Sequence, residues 1–397
     1  MTDSITLDLD AEVGYQRTSE LQERFQAAAE SLRQSDGWAN PTTKARELRA
    51  DLVLEGCGVK SAGLVGAVMA LAEAGYSIRA VAGTSAGAVV ASMVAGISQA
   101  GKPMSELLRY SVTLDFTKFM PNGKLHAFFD RATGKVGSML TDAAILSNRT
   151  GLYSGDYLVE WLTPILRELG VTTFADLKLT TEDDPGLSVA PGRDYRLVVM
   201  TSDITRGQVV RLPWDYPLYG HDPDTEDPVS AVRASMSIPF IFEPVHFVSR
   251  EATVNVVGQG GVETSVHYAA GTHTWVDGGL LENFPINAFE RVDGQPPRWP
   301  TIGVKLSTLR TEFPAAEPCG SALEVAMHCL KTTMNEWDTN ALHERTAART
   351  IFVDNAGLSA TDFDVPMSHQ YDLFLNGVRS ATDFVIASAA AGGVPRN

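Results

Sequence analysis

Three short stretches of this chain carry residue types that could do chemistry together. The first is Gly83-Thr84-Ser85-Ala86-Gly87, a serine with a glycine two positions before it and another two after. That spacing fits a nucleophile elbow, the tight strand-to-helix turn that holds a serine oxygen out toward a substrate. Side chains at Gly83 and Gly87 would strike neighbouring backbone, and the helix that follows favours negative charge nearby. The second stretch is Gly56-Cys57-Gly58-Val59-Lys60-Ser61, also a glycine turn. Successive amides of such a turn can point at one anion, so Gly56, Cys57, Gly58 and Val59 are candidates for an oxyanion hole that uses main chain only. Lys60 adds a cation at the start of the next helix, suited to a phosphate or to solvent. The third is Asp277-Gly278-Gly279, behind the apolar run Thr274-Trp275-Val276. A partly desolvated aspartate at a strand end is a stronger base, and it reaches Ser85 if the two strands are neighbours. Alone, it also fits a plain Asp-Gly bend. Together the three predict acyl transfer, with Ser85 as nucleophile and Asp277 as its base.

Other constellations compete with this one. A Ser-Asp-His triad would draw on His328, His343 or His369, all beyond Asp277. His328 and His343 fall in a helical pattern, whereas His369 sits in the polar stretch 366–370 and is the better candidate. His273 precedes Asp277 by four residues on the same strand. Gly56-x-Gly58-x-x-Ser61 could be a dinucleotide fingerprint, but the third glycine is missing and no acidic residue ends the second strand. The acidic run Asp222, Asp224, Glu226 and Asp227 lacks the spacing of a calcium loop, and Asp362 and Asp364 read the same way, as solvated charge. No metal and no cofactor is expected. Cys57, Cys319 and Cys329 read as reduced thiols.

The elements that must position these residues follow from apolar periodicity and its punctuation. Residues 51–54 form a short apolar strand, 61–74 a helix that stops at Gly75, and 78–82 the next strand, with a small-residue helix over 88–95. Strand, crossover helix and strand predict a parallel, right-handed unit. Helices are expected at 19–34, 104–110, 141–146, 157–169, 229–235, 322–343 and 371–390. Strands are expected at 195–201, 208–212, 301–306 and 350–353, with an antiparallel hairpin over 253–268. The aromatic segment Phe116 to Phe129 and the loop Trp214 to Tyr219 are candidates for receiving an apolar chain, against plain core packing as the simpler reading.

The chain has 397 residues and a net charge of −16, which argues against nucleic acid as a partner. An apolar access surface would still allow peripheral contact with a membrane. The N-terminus lacks a basic stretch followed by an apolar one, and with reduced thiols this predicts a soluble, cytoplasmic protein.

The three motifs, in this order, resemble the patatin-like phospholipase family. Its Gly-Gly-Gly-x-(Lys/Arg)-Gly pattern is matched at Gly56, Gly58 and Lys60, while Cys57 and Ser61 stand where glycines are usual. The segment 234–244, with Ile238-Pro239, is also similar to the family's, and the likeness extends over residues 50–390. It implies a three-layer α/β/α sandwich around a mostly parallel sheet, an oxyanion hole in the first turn and a Ser–Asp dyad of Ser85 and Asp277 without histidine. Gly83, Gly87, Gly278 and Gly279 would support the motifs. The expected organisation is a helical extension over 1–47, an acyl hydrolase domain over 48–390 with a helical cap inserted at about 101–190, and a tail over 391–397. Phospholipids, lysophospholipids or other acyl esters are the substrates this implies. The residues alone leave two alternatives open: an acyltransferase that uses the same acyl-serine, and a lipid-binding scaffold.

Overall fold

In a computed structural model the described residues are 17–119, 150–180, 192–257, 263–291, 297, 299–306, 322–335, 344–355 and 365–396. The strands, in chain order, are β1 (Trp38–Ala39), β2 (Arg46–Leu54), β3 (Tyr76–Thr84), β4 (Gly151–Tyr153), β5 (Leu197–Asp203), β6 (Gln208–Leu212), β7 (Phe240–Phe242), β8 (Val245–Ser249), β9 (Ala252–Val257), β10 (Glu263–Tyr268), β11 (Gly271–Asp277), β12 (Thr301–Lys305) and β13 (Thr350–Phe352). The helices are α1 (Ser19–Ser35), α2 (Ser61–Glu73), α3 (Ala86–Gln99), α4 (Glu106–Ser111), α5 (Asp156–Glu168), α6 (Pro228–Ser235), α7 (Ala322–Asn335), α8 (Glu344–Ala347) and α9 (Met367–Ala390).

The main sheet runs β13-β12-β2-β3-β5-β11-β8, with β1 added to β2 and β6 to β5. From β13 to β5 every pairing along that order is parallel, as the β2-α2-β3 crossover predicts. The direction then reverses. β11 pairs antiparallel with β5, and β8 antiparallel with β11. Successive residues on the central strands point to opposite faces. Leu52, Leu54, Val81, Leu197 and Val199 pack in the large core with the helices. Val53, Ala82, Val198 and Met200 form a second, smaller core closed by Phe284 and Ile286. Both faces of the sheet are covered, which is why its central strands are apolar at nearly every position.

The mixed α/β fold with a mostly parallel central sheet matches the sequence expectation, and several elements are longer than their apolar runs suggested. β2 begins at Arg46 and α3 reaches Gln99. The helix expected at 141–146, the residues 120–129 of the aromatic segment, Cys319, His343, Asp362 and Asp364 lie outside the described residues. Helix α7 is described to Asn335.

The C-terminal helix is built into the core. A Cβ at Gly66 of α2 would lie 2.1 Å from the Phe374 carbonyl oxygen, and one at Gly377 of α9 would lie 2.1 Å from that of Gly63. Only glycine permits this backbone approach. Helix α1 is capped by Thr18 and buries Phe25, Ala29 and Leu32. Arg17 ties this end to α9 through Thr382, and Asp36 accepts from Arg396. Among the described residues no helix is long and apolar enough to cross a membrane.

Candidate active site

Ser85 lies between the end of β3 and the first residue of α3, with φ 52° and ψ −125°, and is 2% exposed. A positive φ is strained for any residue with a Cβ, and surrounding packing must hold it. Here the flanking glycines allow that packing. A Cβ at Gly87 would lie 2.4 Å from the carbonyl oxygens of both Leu54 and Glu55, and one at Gly83 would lie 2.4 Å from that of Gly87. The helix start is thus pressed against the end of β2.

The Ser85 amide donates to Ser235 Oγ at 2.8 Å, and that hydroxyl donates to the Met200 carbonyl at 2.5 Å. Two residues on, the Ser237 carbonyl accepts the Asp277 amide at 2.9 Å. Arg233 holds this segment from behind, donating to Ser237 Oγ at 2.6 Å, to the Glu243 carbonyl at 2.9 Å and to the Ser154 carbonyl. The stretch from α6 to Pro239 therefore braces both the elbow and the aspartate.

Asp277 is fully buried at the last position of β11. Oδ1 accepts the Gly279 amide at 2.7 Å, while Oδ2 has no partner of regular hydrogen-bond geometry. Burial outweighs the downward pull of the Ser85 side chain, close enough to interact with the carboxyl, and of the Gly279 amide, and leaves its pKa raised from 3.8 to about 7. The two residues are brought together, but not by neighbouring strands, as the sequence argument supposed. β5 lies between β3 and β11. Because β11 runs antiparallel, its carboxyl end descends to the level of Thr201 on β5, one residue above the Met200–Thr84 pair. Chain leaving Asp277 then crosses to β3. A Cβ at Gly278 would lie 2.3 Å from the Met200 carbonyl oxygen, and Thr84 Oγ1 donates to the Glu282 carbonyl at 3.0 Å.

The same crossing segment reaches the first glycine turn. The Gly56 amide donates to the Asn283 carbonyl at 3.1 Å, and Asn283 Nδ2 donates to the Gly56 carbonyl at 3.1 Å. A Cβ at Gly56 would lie 2.2 Å from Asn283 Oδ1 and 3.3 Å from Ser85 Cβ, so the turn sits directly beside the serine. With its amide engaged, Gly56 shapes the turn rather than offering a donor. Gly58 has φ 57° and opens a 3-10 turn, Gly58–Lys60, that leads into α2. Cys57 is buried, and that burial pushes its thiol well up against the opposing charge of Lys60. It is no nucleophile at neutral pH. Glu55, just before the turn, is bound by Lys305 Nζ at 2.5 Å and by the Leu306 amide at 2.7 Å, which anchors the turn to β12.

Gly58, Ser61 and Ser85 open onto a cleft whose other walls are apolar, among them Val89, Leu114, Phe116, Phe119, Met236 and Phe242. Phe116 and Phe119 thus face the cleft. Tyr216 and Tyr219 of the second aromatic loop do not; they are buried against Phe247 and Trp275, whose rings stack at 4.0 Å. That loop is core.

The match to known proteins can be set against this geometry. The patatin-like phospholipase family model matches residues 52–290, from β2 through the segment that closes the site. The chain belongs to this family. Uncharacterized protein YqhO of Bacillus subtilis (strain 168) is 29% identical over 335 residues, which cover 84% of this chain and 97% of that protein. Among solved structures, VipD from Legionella pneumophila shares 16% identity with a TM-score of 0.43, over 88% of this chain and 70% of that one. The type III effector protein ExoU of Pseudomonas aeruginosa shares 16% identity with a TM-score of 0.36, over 88% of this chain and 54% of that one.

Among the described residues of this patatin-like chain, the candidate histidines have other surroundings. His328 and His369 are exposed, and His369 stands in the first turn of α9 rather than in a loop. His273 is buried with Nε2 3.0 Å from Ser249 Oγ and Nδ1 3.0 Å from Asp203 Oδ2, the second at an angle short of a regular hydrogen bond. This is a Ser-His-Asp cluster, but it stitches β8, β11 and β5 together away from Ser85. The acidic run is likewise occupied. Asp222 and Asp227 cap short helices, Asp224 binds Lys178 and Tyr195, and Glu226 binds His221. Ser235, Asn283 and Arg233 carried no chemical signature in the sequence, because each acts through ordinary hydrogen bonds, mostly to main chain.

Proposed function

We propose that this patatin-like protein is a lipid acyl hydrolase working through a Ser85–Asp277 dyad, with phospholipids and lysophospholipids as its first substrates to test. The observation that carries the reading is a strained, buried serine beside a wholly buried carboxyl whose pKa is held at about 7. A base poised near the working pH combines the right protonation state with useful basicity. Asp277 takes the Ser85 proton as Oγ attacks the ester carbonyl carbon. The tetrahedral oxyanion is received by the amides of Gly58 and Val59, each such donor lowering the barrier by roughly 3 kcal/mol. Collapse expels the alcohol, which leaves with the proton from Asp277, and the acyl group stays on Ser85. Asp277 then activates water, and the fatty acid is released with the serine restored. No step calls on histidine.

The test is a lipid panel incubated with wild type and Ser85→Ala, with the released products read by mass spectrometry. Free fatty acid from wild type alone supports the reading. Equal release by the two proteins refutes it, and acyl transfer to an added alcohol in preference to water would make the protein a transferase.

A further inference from the structure

We infer that the acyl tail runs from Ser85 into a second chamber between α2, α3 and α5, and that this chamber sets chain-length preference. The inference rests on the hydrolase reading. The cleft at Ser85 is partly open to solvent, and its wall of Ser61, Val89, Leu114 and Phe116 is shared with a neighbouring space. That second space continues to Ala62 and Val65 on α2, Val90 and Met93 on α3, and Trp161 on α5.

Among the described residues no charged side chain lines either space. The polar groups at the second are mostly committed to protein partners. Trp161 Nε1 donates to Thr113 Oγ1 at 2.9 Å, Ser111 Oγ to the Leu107 carbonyl at 2.7 Å, and Gln370 Nε2 to the Val59 carbonyl at 3.2 Å. A headgroup moved there would lose its hydrogen bonds to water and find few replacements, whereas methylenes gain from the apolar wall. The opposite direction, past Met236 and Phe242, leads to a smaller space closed by Phe119, Leu158 and Arg233, whose guanidinium is already bonded to Ser237 and Glu243. The larger apolar space is therefore the one that suits the tail. Gln370 also joins the edge of the tail chamber to the Val59 peptide of the glycine turn, so a tail lying there presses against the wall that carries the oxyanion donors.

The experiment measures kcat/KM of purified full-length protein on p-nitrophenyl butyrate, dodecanoate and hexadecanoate, subtracting the Ser85→Ala rate. Wild type is expected to gain up to about fourfold per added methylene until the chamber is full. Ala62→Phe fills the chamber and is expected to lower the dodecanoate-to-butyrate ratio by about tenfold or more. Trp161→Ala lengthens it and is expected to raise the hexadecanoate-to-dodecanoate ratio. Ratios unmoved in both folded variants overturn the tail assignment and leave the hydrolase reading standing. Absence of Ser85-dependent turnover on every ester counts against the hydrolase reading instead. Calorimetric binding of dodecanoate then decides the chamber: binding weakened by Ala62→Phe supports it, and equal or absent binding overturns it.

Discussion

Replacing Asp277 with asparagine keeps the shape of the side chain and removes its titration, so its effect on stability should depend on pH in a calculable way. The carboxyl is fully buried, and burial raises its pKa from 3.8 to about 7. Below about pH 4 it is protonated in both the folded and the unfolded chain, and wild type and variant carry the same burden. Between about pH 4 and pH 7 the unfolded chain has lost the proton that the folded protein keeps. Folding then takes up a proton, and wild-type stability falls as pH rises, by about 1.4 kcal/mol per pH unit. Above pH 7 the folded carboxylate is ionised too and the loss is complete. Three-odd pH units at that slope amount to about 4 kcal/mol. Asp277→Asn escapes this, so its advantage should grow from near zero at about pH 4 to about 4 kcal/mol above pH 7, while ester hydrolysis is lost. Urea unfolding of both proteins between about pH 5 and pH 8 measures the difference, and subtraction cancels the other titrating groups. A fixed offset from the new amide would not matter, since the slope carries the argument. A difference that stays flat across this range, or one that favours wild type increasingly with pH, would refute it.

Three further outcomes follow from the same geometry. Hydrolysis of a soluble ester should rise as pH increases through about 7, because Asp277 must be ionised to accept the Ser85 proton; a kcat/KM profile already at its maximum at pH 5 would contradict this. Ser235→Ala should leave the buried Ser85 amide and Met200 carbonyl unpaired, which costs roughly 1–3 kcal/mol per group. Its kcat should fall with KM little changed, and kinetics alongside urea unfolding would show both. His273→Asn should destabilise by roughly 1–3 kcal/mol through the Asp203 and Ser249 contacts, yet keep the turnover of each folded molecule within about twofold. Loss of turnover in a folded protein would restore a histidine to the mechanism.

Much of the fold was legible where one physical constraint acts on consecutive residues. The β2-α2-β3 unit shows itself in apolar runs punctuated by glycine turns, since parallel strands covered on both faces leave no polar alternation to disguise them. The nucleophile turn was equally plain, because backbone crowding at Gly83 and Gly87 admits little but glycine. Strand direction was not legible. β11 has an apolar pattern compatible with either sense, and only pairing with β5 reveals that Asp277 reaches the site across an intervening strand. The burial of Tyr216 and Tyr219 was hidden for a similar reason: an aromatic loop looks alike whether it meets a ligand or Trp275. Ser235 and Asn283 escaped notice because a serine or asparagine that satisfies main-chain atoms has no spacing rule.

The order in which the parts of the site are synthesised has a consequence of its own. The residues of the elbow and its glycine turn are made early, within one local supersecondary unit, whereas the braces Ser235 and Asn283 and the carboxyl arrive much later, the last on an antiparallel strand that has to dock beyond β5. A growing chain emerging from the ribosome folds from its N-terminal side first. For a long stretch of translation it would hold an unbraced serine with no buried carboxyl beside it, until the last third of the protein closes the sheet.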